Sequence, residues 1–195
     1  MDQPAPAPGL AWAFLSRFLF FTGAAFLLTY QVYFLTDGLG IPTDEVAGRV
    51  FVSTLVSATV TIAVSVLGGW LSDRIGRRKP LVLVAALIGG AGLLTIGMST
   101  TFTQFLIGSA VTSVGTGLYH AIDLALVAAV LPNPDDAAKD MGTFQIASSI
   151  PQSLAPTIAP VFLLLGSGDY LAVFVAAAVF AVLGAIAIQP VRGVR

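Results

Sequence analysis

From Leu81 to Ile122 the chain runs for 42 residues without an Asp, Glu, Lys or Arg. As one helix that stretch would reach about 63 Å, roughly twice the 30 Å hydrocarbon core of a bilayer. It has to fold back on itself, and Gly97-Met98-Ser99-Thr100-Thr101 supplies the residues for a tight turn. Four more charge-free runs surround it: Phe18 to Thr36 with 19 residues, Val50 to Ser72 with 23, Met141 to Gly168 with 28, and Tyr170 to Val191 with 22. Each is long enough for one crossing as a helix. The fold class that follows is all-α integral membrane, with six transmembrane helices at about 11–36, 46–71, 81–98, 102–131, 141–165 and 170–190. An extended Pro/Ala tail is expected over 1–10 and a short tail over 191–195, flanking a bundle over 11–190.

Composition closes off the other classes. Mean hydropathy is +0.93 and charged residues make up 10% of the chain, against about 25% in a soluble domain. A soluble enzyme and a disordered chain are both excluded on that ground. Nine bases against ten acids leave no basic field, so no nucleic acid is expected as a partner. A β-barrel would show alternating segments of about ten residues, and these runs are far longer and do not alternate. With no cysteine and one histidine, His120, disulfides, thiolate chemistry and polyhistidine metal sites are out of reach within one chain. No metal or other cofactor is expected. The opening residues 1–9 carry no base, unlike the n-region of a signal peptide.

The bases set an orientation. With the 72–80 loop in the cytoplasm, both termini and the 132–140 loop join it. That side then holds seven bases: Arg74, Arg77, Arg78, Lys79, Lys139, Arg192 and Arg195. The opposite loops, 37–45, 99–101 and 166–169, hold none. A multi-pass protein of the plasma (cytoplasmic) membrane is expected, with the lipid bilayer as its first partner. Trp12 and Trp70 lie where interfacial anchors belong. Small residues four apart, Ala85/Gly89, Ala86/Gly90 and Gly108/Thr112, suit close helix contact in lipid. Pro151, Pro156 and Pro160 predict a bent or locally unwound fifth helix beside a protein-buried or wet cavity.

The second span ends Gly69-Trp70-Leu71-Ser72-Asp73-Arg74-Ile75-Gly76-Arg77-Arg78-Lys79. This segment resembles the signature loop of the major facilitator superfamily (MFS), G-x-L-x-D-R-x-G-R-R, at Gly69, Leu71, Asp73, Arg74, Gly76, Arg77 and Arg78. It also falls where that family carries it, between the second and third helices of a six-helix half. By itself the segment is a turn at a glycine able to take φ > 0, with four bases suited to an anionic membrane surface. The resemblance implies more: Asp73, Arg74 and Arg77 would belong to a gating latch that holds one face of the transporter shut. A basic loop that only sets topology is the other reading. Family members often place a latch carboxylate near the inner end of the fourth helix. Here Val127 to Pro132 has no acid, so the latch partner is unassigned among Asp123, Asp135, Asp136 and Asp140.

The resemblance implies two six-helix halves with the solute bound between them, working by alternating access. Arg17 in the first span, the absence of Arg early in the fourth, and Lys139-Asp140-Met141-Gly142 leading into the fifth resemble a C-terminal half. A lone half would turn polar residues towards lipid, so a second six-helix half is expected, in the same chain, as a separate subunit or as a homodimer.

Asp123 is the one carboxylate deep within a span, about 12 Å from its inner end, and His120 precedes it by three residues on the same helix face. A buried acid is costly in lipid and marks a candidate site. Asp123, helped by His120, would be a proton-coupling site. Alternatively Asp123 forms a fixed ion pair with Arg17 or a loop arginine, and His120 is a packing residue. Arg17 is in turn either an interfacial anchor that snorkels, or a partner for Asp123 or an anionic solute. Tyr30, Gln31 and Tyr33 in span one, and Gln145, Ser148, Ser149 and Gln152 in span five, could line a cavity for a small polar organic solute, or serve as polar glue between helices. The fifth span resembles subgroups that include sugar–cation symporters. No phosphate-binding Gly-Lys-Ser/Thr loop is present, and no catalysis is expected. The function expected is transmembrane transport coupled to a proton or cation. The alternative is a non-transporting fragment or scaffold subunit.

Overall fold

The computed structural model describes residues 8–76, 78–130 and 137–189. Six α-helices follow one another: α1 Pro8–Tyr33, α2 Thr43–Ile75, α3 Arg78–Gly97, α4 Phe102–Val130, α5 Ala137–Leu165 and α6 Tyr170–Ala187. A π-helical turn, Phe34–Gly38, extends α1. All six are long and apolar enough to cross a membrane.

Local chemistry explains the ends. Pro42 in extended geometry precedes α2, whose first turn holds Asp44 and Glu45 and whose last holds Arg74, each charge opposing the helix dipole. Gly76 stops α2 in the left-handed region (φ 65°), its N–H returning to the Ser72 carbonyl. The 72–80 loop expected from the sequence is therefore shorter. Residues 72–75 stay in α2 and 78–80 already belong to α3, because the glycine cap reverses the chain in one step. At the other end Gln104 and Thr101 cap α4, the Gln104 side chain accepting from the Thr100 N–H at 2.8 Å and the Thr101 hydroxyl from the Gln104 N–H at 3.3 Å. Asp169 caps α6 by accepting from the Leu171 N–H at 2.8 Å.

Of the two expectations for α5, a bend or local unwinding, the unwound one is corrected: Ala137–Leu165 is one continuous α-helix with all three prolines inside. The missing N–H groups free the carbonyls of Ala147, Gln152 and Pro156 instead. Of the expected tail 1–10, residues 8–10 enter α1, with Pro8 at a first-turn position that tolerates proline. Residues 1–7, Arg77, 131–136 (including Asp135 and Asp136) and 190–195 lie outside the described residues.

Packing sorts the helices into two groups of three. α1 packs on α5 and α6, α4 packs on α2 and α3, and α3 against α6 joins the groups. Exchanging α1 with α4, α2 with α5 and α3 with α6 reproduces the same pattern, as in an internally repeated transporter fold. Close approach at small residues holds the seams. A Cβ on Gly115 of α4 would fall 2.5 Å from the Ala85 carbonyl oxygen and from the Gly89 nitrogen of α3. Gly90, one position on, faces Ala178 and Val182 of α6 instead. Gly89 and Gly90 thus serve two different neighbours. In α2 only 6% of the apolar window is buried, against 56% in α4 and 22% in α5. The outward faces of α2 and α5 are the least covered in the bundle.

Candidate functional site: an ion pair between the helix groups

Arg17 lies ten residues into α1 and Asp123 seven residues before the end of α4, so antiparallel helix directions bring both to the Gly76 end of the bundle. Arg17 Nη1 meets Asp123 Oδ2 at 2.9 Å, with side-chain exposures of 11% and 7%. The pair ties one helix group to the other. Its surroundings keep it in place. Phe20 stacks face to face on Tyr119, centroids 3.6 Å apart and planes 6° from parallel. The Tyr119 hydroxyl interacts with the side chains of both Ser16 and Asp123. The Arg17 guanidinium also lies 5.5 Å from the Phe21 ring centre, a cation–π contact that gains strength when water is excluded. Its Nε is enclosed with no acceptor among the described residues. A buried ion pair in low dielectric requires such complementary contacts to offset the loss of hydration.

His120 has another environment. It is exposed, its ring sits 5.7 Å from that of Phe21, and among the described residues no hydrogen bond or ion pair joins it to Asp123. One-face spacing along α4 is therefore not contact: the Asp123 carboxylate turns to α1, while the His120 ring lies over Phe21.

The other expected residues fall into three separate places. Gln145, Ser149 and Gln152 occupy one exposed side of α5, the Ser149 hydroxyl donating to the Gln145 carbonyl at 3.0 Å. Ser148 is buried and donates to that same carbonyl at 2.9 Å. Tyr30 is buried at the far end of α1, with Gln31 half-buried and Tyr33 exposed. Tyr30 sits 5.8 Å from Tyr33 and 6.3 Å from Tyr170, ring to ring. In the signature segment, Gly69 has open space around it, Asp73 is exposed and makes no ion pair among the described residues, and Arg74 lies 5.3 Å over the Trp70 ring. Arg77 lies outside the described residues. Arg78 opens α3.

Sequence reasoning missed Tyr119, Ser16 and the contact from Tyr170 Oη to Asp37 Oδ2 at 2.8 Å. Tyr119 was within reach of inspection, since it lies four residues before Asp123 on one helix. Asp37 and Tyr170 are 133 positions apart and carry no such signal.

Known proteins resemble this chain in sequence and in fold. In Bacillus subtilis (strain 168), an uncharacterized MFS-type transporter, YhcA, is 30% identical over 92 residues, which is 47% of this chain and 17% of that protein. A second, YfiU, is 31% identical over 117 residues, 60% of this chain and 22% of the relative. A probable 4-methylmuconolactone transporter of Cupriavidus pinatubonensis (strain JMP 134 / LMG 1197) is 32% identical over 112 residues, 55% of this chain and 26% of the relative. The matches thus span only 17% to 26% of the curated relatives' lengths. The crystal structure of a peptide transporter, POT, in complex with sulfate shares the fold at a TM-score of 0.79 and 20% identity, over 96% of this chain and 39% of that one. The family model of the Major Facilitator Superfamily matches residues 13–193. This multi-pass integral membrane protein therefore belongs to the Major Facilitator Superfamily, a family of membrane transporters and not of enzymes.

Proposed function

We propose that the chain is one six-helix half, the C-terminal one, of a transporter that moves a small polar organic solute by alternating access, driven by a proton or another cation. The observation that carries the reading is the Arg17–Asp123 pair, 2.9 Å long, inside the membrane and bridging the two helix groups. A carboxylate is costly to hold at that depth, and coupling or gating is the role that accounts for it. Protonating Asp123, or binding a cation to it, cancels its attraction for Arg17 and loosens the tie between α1 and α4. Arg17 Nε, enclosed without an acceptor among the described residues, is the donor that an oxygen of the solute or of the second half would satisfy. Gln145, Ser149 and Gln152 on the exposed side of α5 suit hydroxyl and carbonyl groups of such a solute. The relative named as a probable 4-methylmuconolactone transporter keeps small organic solutes in view.

The thinly covered α2 and α5 faces would meet the second half, in one chain, as a separate subunit or as a homodimer. The base-rich Gly76 end, with both termini, would face the cytoplasm of a plasma membrane. Asp73, Arg74 and Arg77 would form the latch there, released as that face opens.

The test is gradient-driven uptake in proteoliposomes holding the chain assembled with its second half. Asp123→Asn should remove uptake driven by a proton or cation gradient while leaving the assembly intact. Asp73→Ala should slow it and alter labelling of a reporter cysteine on the Gly76 end. Undiminished uptake with Asp123→Asn overturns the coupling role. If no assembly takes up solute, the chain is a scaffold subunit or a non-transporting fragment.

A further inference from the structure

The Asp123 carboxylate has more acceptor capacity than Arg17 takes up. Arg17 Nη1 holds Oδ2 at 2.9 Å, whereas an ionised carboxylate offers about four acceptor sites. A second donor is Tyr119, one turn earlier on α4 and 3% exposed. Its hydroxyl meets the Asp123 carboxylate on one side and the Ser16 hydroxyl of α1 on the other. A phenol has one proton and an ionised carboxylate can only accept, so Tyr119 donates to Asp123. Ser16, buried as well, is left to donate to the Tyr119 oxygen. The donors thus run one way, from Ser16 to Tyr119 to Asp123, and each polarises the next. Phe20 stacks flat on the Tyr119 ring, centroids 3.6 Å apart, and keeps it from swinging aside. No rival charge holds the carboxylate. His120, on the same helix, lies over Phe21 instead. α2 and α3 also pack on α4. Their charged residues at this end are Asp73 and Arg74, both exposed, and Arg78 and Lys79 at the start of α3. Among the described residues Arg17 is the one ion-pair partner of Asp123.

We propose that Tyr119 is a positioning residue for the coupling step. Its hydroxyl, backed by Ser16, holds the Asp123 carboxylate in the ionised form that grips Arg17, and so sets the proton concentration at which the tie between α1 and α4 opens. This role rests on the coupling function proposed for Asp123. A hydrogen bond donated to the charged form of an acid favours that form. The bond from Tyr119 and the pair with Arg17 both draw their strength from the carboxylate charge. One protonation therefore weakens both at once.

Infrared pH titration of the chain in proteoliposomes, over about pH 4–10, tests this. The signal is the protonated-carboxyl band that Asp123→Asn removes. Tyr119→Phe keeps the ring on Phe20 and deletes only the hydroxyl. It should raise the titration midpoint of that band by about one pH unit, a tenfold lower proton concentration. Ser16→Ala leaves every ring in place and should move the midpoint the same way by less. It becomes the deciding variant if Tyr119→Phe does not fold. Tyr170→Phe takes a phenol hydroxyl from the exposed Asp37 at the far end and should leave the midpoint in place. An unmoved or lowered midpoint in the deciding variant overturns the positioning role while the coupling role of Asp123 stands. An equal shift with Tyr170→Phe overturns it too, since the effect is then a general loosening. A band that appears in neither the parent nor the variants overturns both roles, because Asp123 then takes up no proton.

Discussion

The two ends of the bundle handle charge in opposite ways. At the Gly76 end, Arg17 and Asp123 meet at 2.9 Å with both side chains nearly enclosed, and they join α1 to α4 across the two helix groups. At the far end, Asp37 accepts from Tyr170 at 2.8 Å and from the Thr36 hydroxyl at 3.1 Å, but the carboxylate is exposed. That contact stays within one group, between the π-helical extension of α1 and the start of α6. Its neighbours are aromatic: Phe34 lies 5.8 Å from Tyr170 and 5.2 Å from Phe174, edge to face in both cases. Enclosure decides what each contact is worth. A polar tie between the groups is strong only where the medium is dry, so the Gly76 end is the end at which the groups are electrostatically coupled.

The sharpest way to break this contrast is to remove one partner of the buried pair. Asp123→Ala leaves the Arg17 guanidinium enclosed and unpaired, and should cost about 3–5 kcal/mol in unfolding of the chain in detergent micelles. Adding Arg17→Ala should recover part of that loss, and a double-mutant cycle gives the coupling directly. Purely additive losses would mean the pair is not a pair in solution. Phe20→Leu comes next. Its ring stacks on Tyr119, and the expected loss is about 0.5–1.5 kcal/mol from the aromatic contact. Lipid is as apolar as the protein core, so no large transfer term is added. At the far end Tyr170→Phe removes one exposed hydrogen bond, and the same unfolding measurement should register less than about 1 kcal/mol. A larger loss would show that this end is drier than its exposure indicates. The smallest effect belongs to Glu45 and Arg49, one turn apart on α2 at 3.2 Å and about half exposed. Glu45→Gln should cost about 0.3–0.5 kcal/mol at low salt, and nothing measurable at 1 M salt.

The fold was legible because its rule is one-dimensional. A charge-free run either is or is not long enough to cross a bilayer, and no knowledge of neighbours is needed to count it. Asp123 was legible for the same reason: an acid in the middle of such a run stands out wherever the helix packs. What the carboxylate touches was legible only as a choice between His120, three residues away, and a fixed pair with Arg17 or a loop arginine. The contact is made by Arg17 from another helix, with Tyr119 and Ser16 beside it, and those two companions were not read. The prolines of α5 left two readings open, a bend or local unwinding, and the unwound one is not what the helix does. Each removes a hydrogen bond, but a helix can lose isolated bonds without unwinding when its neighbours hold it.

Length, hydropathy, the signature segment and the capping residues thus belong to the chain as written, because they act over a few neighbouring residues or over the thickness of a membrane. Which face of each helix meets which partner came only with the folded bundle. Ala85/Gly89 and Ala86/Gly90 look equivalent on paper, yet Gly89 meets α4 and Gly90 meets α6. The physical reason is that packing in lipid has no hydrophobic gradient to orient a helix. Apolar sides all look alike to the bilayer, and the choice among them is made by close fit and by the few polar atoms that must find each other.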